Sequence, residues 1–394
     1  MRQFLLSKSV IVTLIAVVAI HALLAFASFS PTTRADMSDL PVGVVDLDGE
    51  GLASQLLEVD HEMLQWNEVS SRTLLDDMMV EKDLYAGIVI PEGASEALEV
   101  SATSSQQVEL ELIVNEGANA AAATASAGVI SGIVDEISHA AFEQHLATLE
   151  ADGGVVEPGD LSALTSPVVV EQSIANPAGG QEGAQVPLML VVLAWIGTLI
   201  ASLVVWLSLH RTGQTPYGFL GSQLIVGAGI AVLQPFSIVL LARGIAGIDL
   251  TFTGQIYMAL LLASLAFYML QSAVLNWAGF GGWPILVMIW LFSFGMLSMA
   301  PEALSSFYRD GIYSWIPIRF PFEAIQGVLF FDGEGVTNRM LWITAAIAAG
   351  SAAAVAASIP VLRRRDLSVS PMRARLDRFE NPPEDSVQEA RVGA

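Results

Sequence analysis

Long apolar runs dominate the second half of the chain, and one more lies near its beginning. A helix needs about 20 mostly apolar residues to cross the hydrocarbon core of a bilayer. The chain contains six such runs, at residues 10–29, 187–209, 219–242, 256–275, 283–299 and 341–362. The pattern therefore predicts a polytopic α-helical membrane protein with six transmembrane helices, in which residues 187–362 form a five-helix domain.

The first apolar run has two interpretations, because a basic start is common to cleaved signal peptides and to retained anchors. The run is longer than the apolar region of a typical signal peptide, and Ala25-Phe26-Ala27 before Ser28 is a weak cleavage site. We interpret residues 10–29 as a retained transmembrane helix, with cleavage as the alternative.

The stretch between the first two runs has a shorter period, in which β-like runs alternate with helical ones. Strands are predicted near residues 41–47, 63–69, 84–90 and 106–114, and helices near 49–57, 70–82, 92–100 and 117–149. This alternation predicts an α/β domain at residues 30–150. Residues 151–186 are rich in Gly, Pro and Ser with one β-like run, and we interpret them as a juxtamembrane linker.

Basic residues indicate the direction of the spans, since cytoplasmic loops carry an excess of Lys and Arg. Two basic residues precede the first run, Arg211 follows the second, and an arginine-rich segment follows the last. We therefore expect residues 1–9 and a basic, disordered tail at residues 363–394 in the cytoplasm. The same rule places residues 30–186 outside the cell.

The charge distribution agrees with this division. The chain is 53% hydrophobic with a net charge of −23, and residues 31–185 hold 28 acidic against three basic residues. The acidic charge therefore lies in the predicted external part. Cysteine is absent, which excludes disulfides, thiolate metal sites and a cysteine nucleophile.

The run DLDGEG at residues 46–51 resembles the start of a calcium loop. Asp46, Asp48 and Glu50 would occupy ligand positions one, three and five of an EF-hand, but position twelve is Leu57, which offers no oxygen. The preceding residues also predict a strand where an EF-hand has a helix. We interpret the run as a strand-to-helix turn in which Asp48 or Glu50 caps a helix, and expect no metal.

Catalytic motifs are absent from the sequence. It has no phosphate-binding loop, no G-x-S-x-G elbow and no H-E-x-x-H pair, and its histidines are dispersed. We therefore expect that the chain is not an enzyme, holds no cofactor and has no nucleic-acid partner.

The predicted spans hold few polar groups, of which His21, Gln223, Gln234 and Gln271 are the most notable. An ion-driven carrier usually keeps an acid or a histidine at mid-membrane, so this pattern argues against an ion-driven pump. Gln234 and Gln271 are candidates for a translocation path, although glutamines in spans are more often interhelical hydrogen-bond partners. Pro235 is a possible kink.

Residues 301–339 contain apolar pieces that are too short to span a membrane. One hypothesis is a re-entrant cap over a translocation path, broken into half-helices by Pro317 and Pro321. The other is an amphipathic helix on the outer leaflet, with Tyr313 and Trp315 as interfacial anchors. The candidate site residues of this segment are Pro301, Glu302, Trp315 and Pro317.

Several of these stretches together resemble the YhgE/Pip family of ABC-2 type transporter permeases. The first is VGVVDLDGEGLASQLL, with a signature turn at Asp46, Asp48 and Gly49. The others are a strand at Trp66-Asn67, the run DLYAGIVIPEGASEAL, and the stretch before the last span. Their matching positions are Tyr85, Ala86, Ile88, Val89, Ile90 and Pro91, followed by Pro301, Glu302, Leu304, Phe307, Ile316 and Pro317.

The resemblance implies one span, an extracellular α/β domain and five more spans in a bacterial plasma membrane. It further implies a homodimeric permease subunit that moves an amphiphilic or envelope-bound substrate outward. A separate ATPase subunit would bind the ATP and dock near the N-terminus and on the turn at residues 210–218, with His210 and Arg211 as candidate coupling residues. The alternative role of Arg211 is that of a positive-inside anchor. The alternative is a non-transporting envelope receptor or secretion scaffold that binds a partner through its acidic domain.

Overall fold

The structure is a computed structural model that describes residues 37–49, 51–100, 107–152, 161–211, 215–245, 247–248, 250 and 253–364. The predicted first span and the predicted C-terminal tail from residue 365 onward lie outside these residues. The described residues divide into two compact units. The first unit takes the described residues up to 192 together with 253–259 and 288–343, and the second takes the rest.

A five-stranded mixed sheet forms the centre of the first unit. Its strands are β1 (Leu40–Asp46), β2 (Leu64–Val69), β3 (Ala86–Ile90), β4 (Val108–Asn115) and β5 (Val168–Ala175), in the spatial order β2-β1-β3-β4-β5. β1 is parallel to both β2 and β3, β4 is antiparallel to β3, and β5 is parallel to β4. The helices between the strands are α1 (Gly51–Glu58), α2 (Arg72–Val80), α3 (Ala94–Val100), α4 (Ala120–Asp152) and α5 (Leu161–Thr165).

Both faces of the sheet are covered. One face packs against α1, α3 and α4 in a core that also receives Ala300 and Ala303 from the C-terminal part of the unit. The other face packs against α2 through Leu75 and Met79. A sheet buried on both faces needs almost continuous apolar strands, and all five residues of β3 are buried.

A pair of glycines lets α2 approach the sheet closely. Gly43 and Gly87 are register partners on β1 and β3. A Cβ atom would lie 2.4 Å from Cδ1 of Leu75 at Gly43 and 2.7 Å from the same atom at Gly87. The missing side chains therefore make the space that Leu75 fills. Ser71 fixes the beginning of α2, because its hydroxyl accepts a hydrogen bond from the backbone N–H of Leu74 at 3.2 Å.

The segment expected to be a linker differs from that expectation. The β-like run within residues 151–186 forms β5, which pairs with β4 from Val108↔Val168 to Asn115↔Ala175. The sheet domain therefore extends beyond residue 150. The Gly and Pro content suggested a loop, but the consecutive valines at residues 168–170 begin a strand that completes the sheet at its edge. A five-residue helix, α6 (Gly180–Ala184), follows.

Four long apolar helices come next, namely α7 (Val186–Arg211), α8 (Pro216–Gly244), α9 (Gly254–Ala278) and α10 (Trp283–Leu297). A fifth long apolar helix, α13 (Thr337–Ala357), comes later in the chain, and the short helix α14 (Ile359–Arg364) follows it. Five of the six predicted spans lie on α7, α8, α9, α10 and α13. α8 continues past Pro235 without a break. α10 is about 22 Å long, which is shorter than the hydrocarbon core of about 30 Å.

Among the described residues, five helical stretches are long and apolar enough to cross a membrane, namely Ala120–Ala147, Gly180–His210, Pro216–Gly244, Gly254–Leu297 and Thr337–Arg364. The fourth contains both α9 and α10, joined by a 3-10 turn at Gly279–Gly282. The first belongs to α4, whose residues Ala123, Ile130 and Val134 are buried in the sheet core. We therefore assign α4 to the α/β sheet and the other stretches to the membrane.

The segment between α10 and α13 is mostly helical. It contains α11 (Ser306–Tyr308), a π-helical turn at Arg309–Tyr313 and α12 (Arg319–Phe330). The re-entrant hypothesis expected Pro321 to break the segment into half-helices, but α12 continues through Pro321. Pro321 is tolerated because it lies in the first turn, where backbone N–H groups have no intrahelical partner. Pro317 precedes the helix.

Candidate functional site

A cavity of about 210 Å³ lies within the first unit, between the sheet and the segment that follows α10. Its walls come from the loop between α2 and β3, from the turn between β4 and α4, and from the segment around α12. Charged residues of all three parts line it, namely Glu81, Lys82, Glu116, Glu302, Arg319, Glu323 and Arg339. The fold therefore brings charged residues that are distant in sequence to one partly open cavity.

Lys82 supplies a largely buried cation to this cavity. Its Nζ donates a hydrogen bond to Oε1 of Gln326 at 2.7 Å and lies 5.0 Å from the centroid of the Phe331 ring. Burial lowers the pKa of Lys82 to about 8, although the negative charge of Glu323 opposes part of that shift. The ammonium is therefore mostly protonated at neutral pH but loses its proton readily.

A second contact joins Tyr85 to Glu302. The Tyr85 hydroxyl donates to Oε2 of Glu302 at 2.5 Å. Burial, and then the charge of Glu302, raise the pKa of Tyr85 well above its ordinary value, so the hydroxyl stays protonated and acts as the donor. This bond fixes one oxygen of the carboxylate and joins the sheet to the segment after α10.

A third group lies at the beginning of α12. Arg319 and Glu323 are four residues apart on the helix and form an ion pair between Nε and Oε1. The Tyr313 hydroxyl donates to the same Oε1 at 3.3 Å, and Cζ of Arg319 lies 4.4 Å from the centroid of its ring. Burial, and then the charge of Glu323, raise the pKa of Tyr313. These contacts hold both charges of α12 at the cavity wall.

The stability of this unit is expected to rise with pH from about 8 to 10. The unfolded lysine binds its proton up to pH 10.5, whereas the folded Lys82 releases it near pH 8. The folded state therefore gains stability as pH rises through this window, by about 1–2 kcal/mol after allowance for partial hydration. Above about pH 10 the gain ends, because the unfolded state releases the protons that Tyr85 and Tyr313 retain when folded.

Hydrogen exchange of β3 in the full-length detergent-solubilised protein, measured from pH 7 to 10 and corrected for the intrinsic exchange rate, checks this. Lys82→Met should remove the rise in protection, and Arg72→Gln should keep it, since Arg72 pairs with Glu111 outside the cavity. A rise of equal size in Lys82→Met would contradict the assignment to Lys82.

The residues predicted for a translocation path fall in different places. Pro301 and Glu302 line the cavity, whereas Trp315 is 57% exposed. Sequence reasoning missed Lys82 and Glu323 as site residues. One signal was available for Lys82, which is one of only two lysines in the chain and lies in a strongly acidic stretch. Glu323 carries no comparable signal, because nothing local shows what α12 packs against.

The two glutamines predicted for the spans lie in the second unit and bind other helices. Nε2 of Gln234 on α8 donates to the carbonyl oxygen of Ala194 on α7 at 2.9 Å. Nε2 of Gln271 on α9 donates to the carbonyl oxygen of Trp195 on α7 at 3.2 Å. These amides are interhelical hydrogen-bond partners. In the same unit, Nδ2 of Asn276 donates to Oε1 of Gln223 at 3.0 Å.

The signature turn is held by carboxylate contacts to the backbone. Oδ1 of Asp46 accepts the N–H groups of Asp48 and Gly49, each at 3.0 Å, and Gly49 has a φ of +72°. Oδ2 of Asp48 accepts the N–H of Ser95 at 3.1 Å, and hydrogen bonding around Ser95 lowers the pKa of Asp48. Asp48 therefore caps the beginning of α3 and not the helix that follows it in sequence. Within the described residues, no group of three acidic or histidine side chains is arranged to hold a metal.

The predicted ATPase-coupling turn begins at the end of α7. Nδ1 of His210 donates to the carbonyl oxygen of Trp206 at 2.7 Å, and the His210 ring packs on the rings of Trp206 and Phe219. Arg211 is the last residue of α7. Within the predicted turn at residues 210–218, residues 212–214 lie outside the described residues.

Comparison with known proteins assigns the chain to a family. The family model described as an ABC-2 family transporter protein matches residues 8–360, which include all five strands and helices α1 to α13. The comparisons with curated proteins and with solved structures give no match. The matched family and the apolar helices together identify a multi-pass membrane permease of an ABC transporter, which works with a separate ATPase subunit. The chain belongs to the ABC-2 family of transporter proteins.

Proposed function

We propose that the protein is the permease subunit of an exporter that moves an amphiphile or another cell-envelope substrate outward. The observation that carries this proposal is the neutral interior of the second unit. Among its described residues, the buried polar side chains are amides and hydroxyls, represented by Gln223, Gln271, Asn276, Ser202 and Thr198. Such groups join helices without opposing the passage of an apolar chain.

The charged residues of the apolar helices support the same proposal. Arg211, Arg243 and Arg339 lie in the first or last turn of α7, α8 and α13, and Arg363 and Arg364 end α14. A carrier driven by an ion gradient usually needs an ionisable group at mid-membrane. The energy for transport would instead come from ATP hydrolysed by the separate subunit that the family implies.

The proposal includes an orientation. The chain ends would lie in the cytoplasm and the α/β sheet outside, in a bacterial plasma membrane, as the distribution of arginines predicts. Two copies of the permease would assemble with the ATPase subunits, and the YhgE/Pip type remains part of the proposal. The turn after His210 would face the ATPase, and the acidic sheet domain would face the envelope.

Reconstituted transport tests the proposal. The protein is purified with its ATPase partner, placed in proteoliposomes with a fluorescent phospholipid, and supplied with ATP on the ATPase side. We expect ATP-dependent movement of the lipid to the opposite leaflet, measured by dithionite quenching. A variant of the partner that binds but does not hydrolyse ATP is the control and should abolish the movement.

The opposite outcome would favour the alternative function, that of an envelope receptor or secretion scaffold. If the permease co-purifies with no ATPase and export of envelope amphiphiles is unchanged in cells that lack it, the exporter proposal is wrong. The acidic sheet domain would then be the part of the receptor or scaffold that binds a partner.

A further inference from the structure

We infer that the cavity beside Lys82 and Glu302 binds a zwitterionic head group that carries a primary ammonium and a phosphate or carboxylate. The inference deepens the proposed function. The assignment of this head group to the exported substrate rests on the proposed export of an amphiphile. The binding site itself stands on the geometry of the first unit alone.

The size of the cavity fits a head group and not a whole amphiphile. A volume of about 210 Å³ holds roughly seven water molecules at liquid density. Cavities for drug-sized ligands are larger, on the order of 300–1,000 Å³. An ethanolamine phosphate or an amino acid is of the smaller size.

One part of the wall offers acceptors for an ammonium group. Oε2 of Glu302 accepts the Tyr85 hydroxyl, while the other carboxylate oxygen has no partner among the described residues. Glu116 likewise uses one oxygen, since its Oε2 accepts hydrogen bonds from the N–H groups of Ala178 and Gly180. Glu302 therefore offers an oxygen without a partner in the described residues, on a carboxylate that Tyr85 holds in place.

Another part of the wall offers donors for an anion. Arg319 uses Nε for its ion pair with Glu323, and its terminal N–H groups make no hydrogen bond within the described part of the chain. Lys82 and the exposed Arg339 also line the cavity. Guanidinium groups bind phosphate and carboxylate through paired N–H donors.

The wall carries charges of both signs. The basic side chains Lys82, Arg319 and Arg339 and the acidic side chains Glu81, Glu116, Glu302 and Glu323 line the cavity. A ligand with charge of one sign would pair with one kind of group and lie against the other, which is unfavourable in a partly buried space. A ligand with both charges pairs with both kinds of group.

Calorimetric titration of the full-length protein in detergent tests the site with glycerophosphoethanolamine as the probe. We expect this zwitterion to bind at least tenfold more tightly than glycerol 3-phosphate or ethanolamine, each of which carries charge of only one sign. Glu302→Gln keeps the shape and an acceptor for Tyr85 but removes the negative charge. It should weaken the zwitterion and ethanolamine at least tenfold and leave glycerol 3-phosphate within twofold.

Two further variants keep the test decisive. Glu111→Gln removes one negative charge from the same unit outside the cavity and should leave binding unchanged. Arg339→Gln changes an exposed side chain, so it tests the anion half even if Glu302→Gln does not fold, and should weaken glycerol 3-phosphate severalfold. Binding of neither the zwitterion nor its halves, equal binding of all three probes, or no effect of either cavity variant would overturn the inference.

Nanodiscs distinguish a lipid from a free small zwitterion. If phosphatidylethanolamine added to phosphatidylcholine nanodiscs weakens binding of the soluble probe, the ligand is lipid-borne. If it does not, the site takes a free zwitterion, and the site is upheld either way. Binding without ATP-driven lipid movement would refute only the proposed export, whereas lipid movement with no binding at the cavity would refute only this site.

Discussion

Asn115→Leu is expected to destabilise the sheet unit by about 3 kcal/mol or more. The side chain is fully buried, and its Nδ2 donates to the carbonyl oxygens of Met79 at 2.8 Å and Leu84 at 2.9 Å. Its Oδ1 accepts from Nδ2 of Asn176 at 3.0 Å. Leucine has a similar size but satisfies none of these groups, and buried polar atoms without partners cost about 1–3 kcal/mol each.

The effect should be visible as hydrogen exchange at least about 100-fold faster in β3 and β4 of the full-length protein. The loop held by Asn115 carries Lys82, so the cavity wall should lose protection as well. Asn67→Leu is the matched control. The Asn67 amide is only partly buried at the edge strand β2, and the change should cost less than about 1 kcal/mol. Equal protection in Asn115→Leu and in the unsubstituted protein would show that the three bonds are not needed.

Gly227→Ala is expected to destabilise the apolar helices of the second unit by about 2–3 kcal/mol. A Cβ atom at Gly227 on α8 would lie 2.2 Å from Cε1 of the Tyr268 ring on α9. Tyr268 is fully buried and its hydroxyl donates to the carbonyl oxygen of Gln223 at 3.2 Å, so the ring has little room to move. Thermal unfolding of the detergent-solubilised protein should show a midpoint several degrees lower.

Gly229→Ala provides the control on the same helix. No atom lies within 4 Å of a Cβ at this position, so alanine should be neutral or slightly stabilising. Gly227→Ala combined with Tyr268→Leu should recover part of the loss, because the smaller side chain returns the space. If both glycine variants lowered the midpoint equally, the cause would be backbone freedom and not the contact with Tyr268.

Periodicity along the chain was enough to find most elements of this fold. β3 and α2 follow local patterns, since β3 is continuously apolar and Ser71 marks the beginning of α2. The same is true of α7 and α8, whose apolar length exceeds what a span needs. β5 was predicted only as a β-like run inside a linker, because strand pairing with β4 is a non-local property that composition does not report.

The candidate site could not be derived from the sequence for the same reason. Glu302 was singled out for its place near a predicted span, but its partner Tyr85 lies 217 positions earlier. Asp48 or Glu50 was expected to cap the next helix in sequence. Asp48 instead caps the helix that begins near Ser95, and Glu50 lies outside the described residues. Local patterns indicate which side chains are available, and only the register of the sheet and the packing of α12 decide which of them meet.

The cavity wall also has a consequence for the order in which the protein is made. Lys82 and Gln326 are 244 positions apart, which at about 5–20 residues per second separates their synthesis by roughly 12–50 s. During that time the sheet leaves the ribosome and four apolar helices enter the membrane, while Lys82 and Tyr85 still face water. A chain truncated after α10 would therefore lack the partner that α12 supplies to Lys82, so a segment made late in translation completes a cavity wall that an early segment begins.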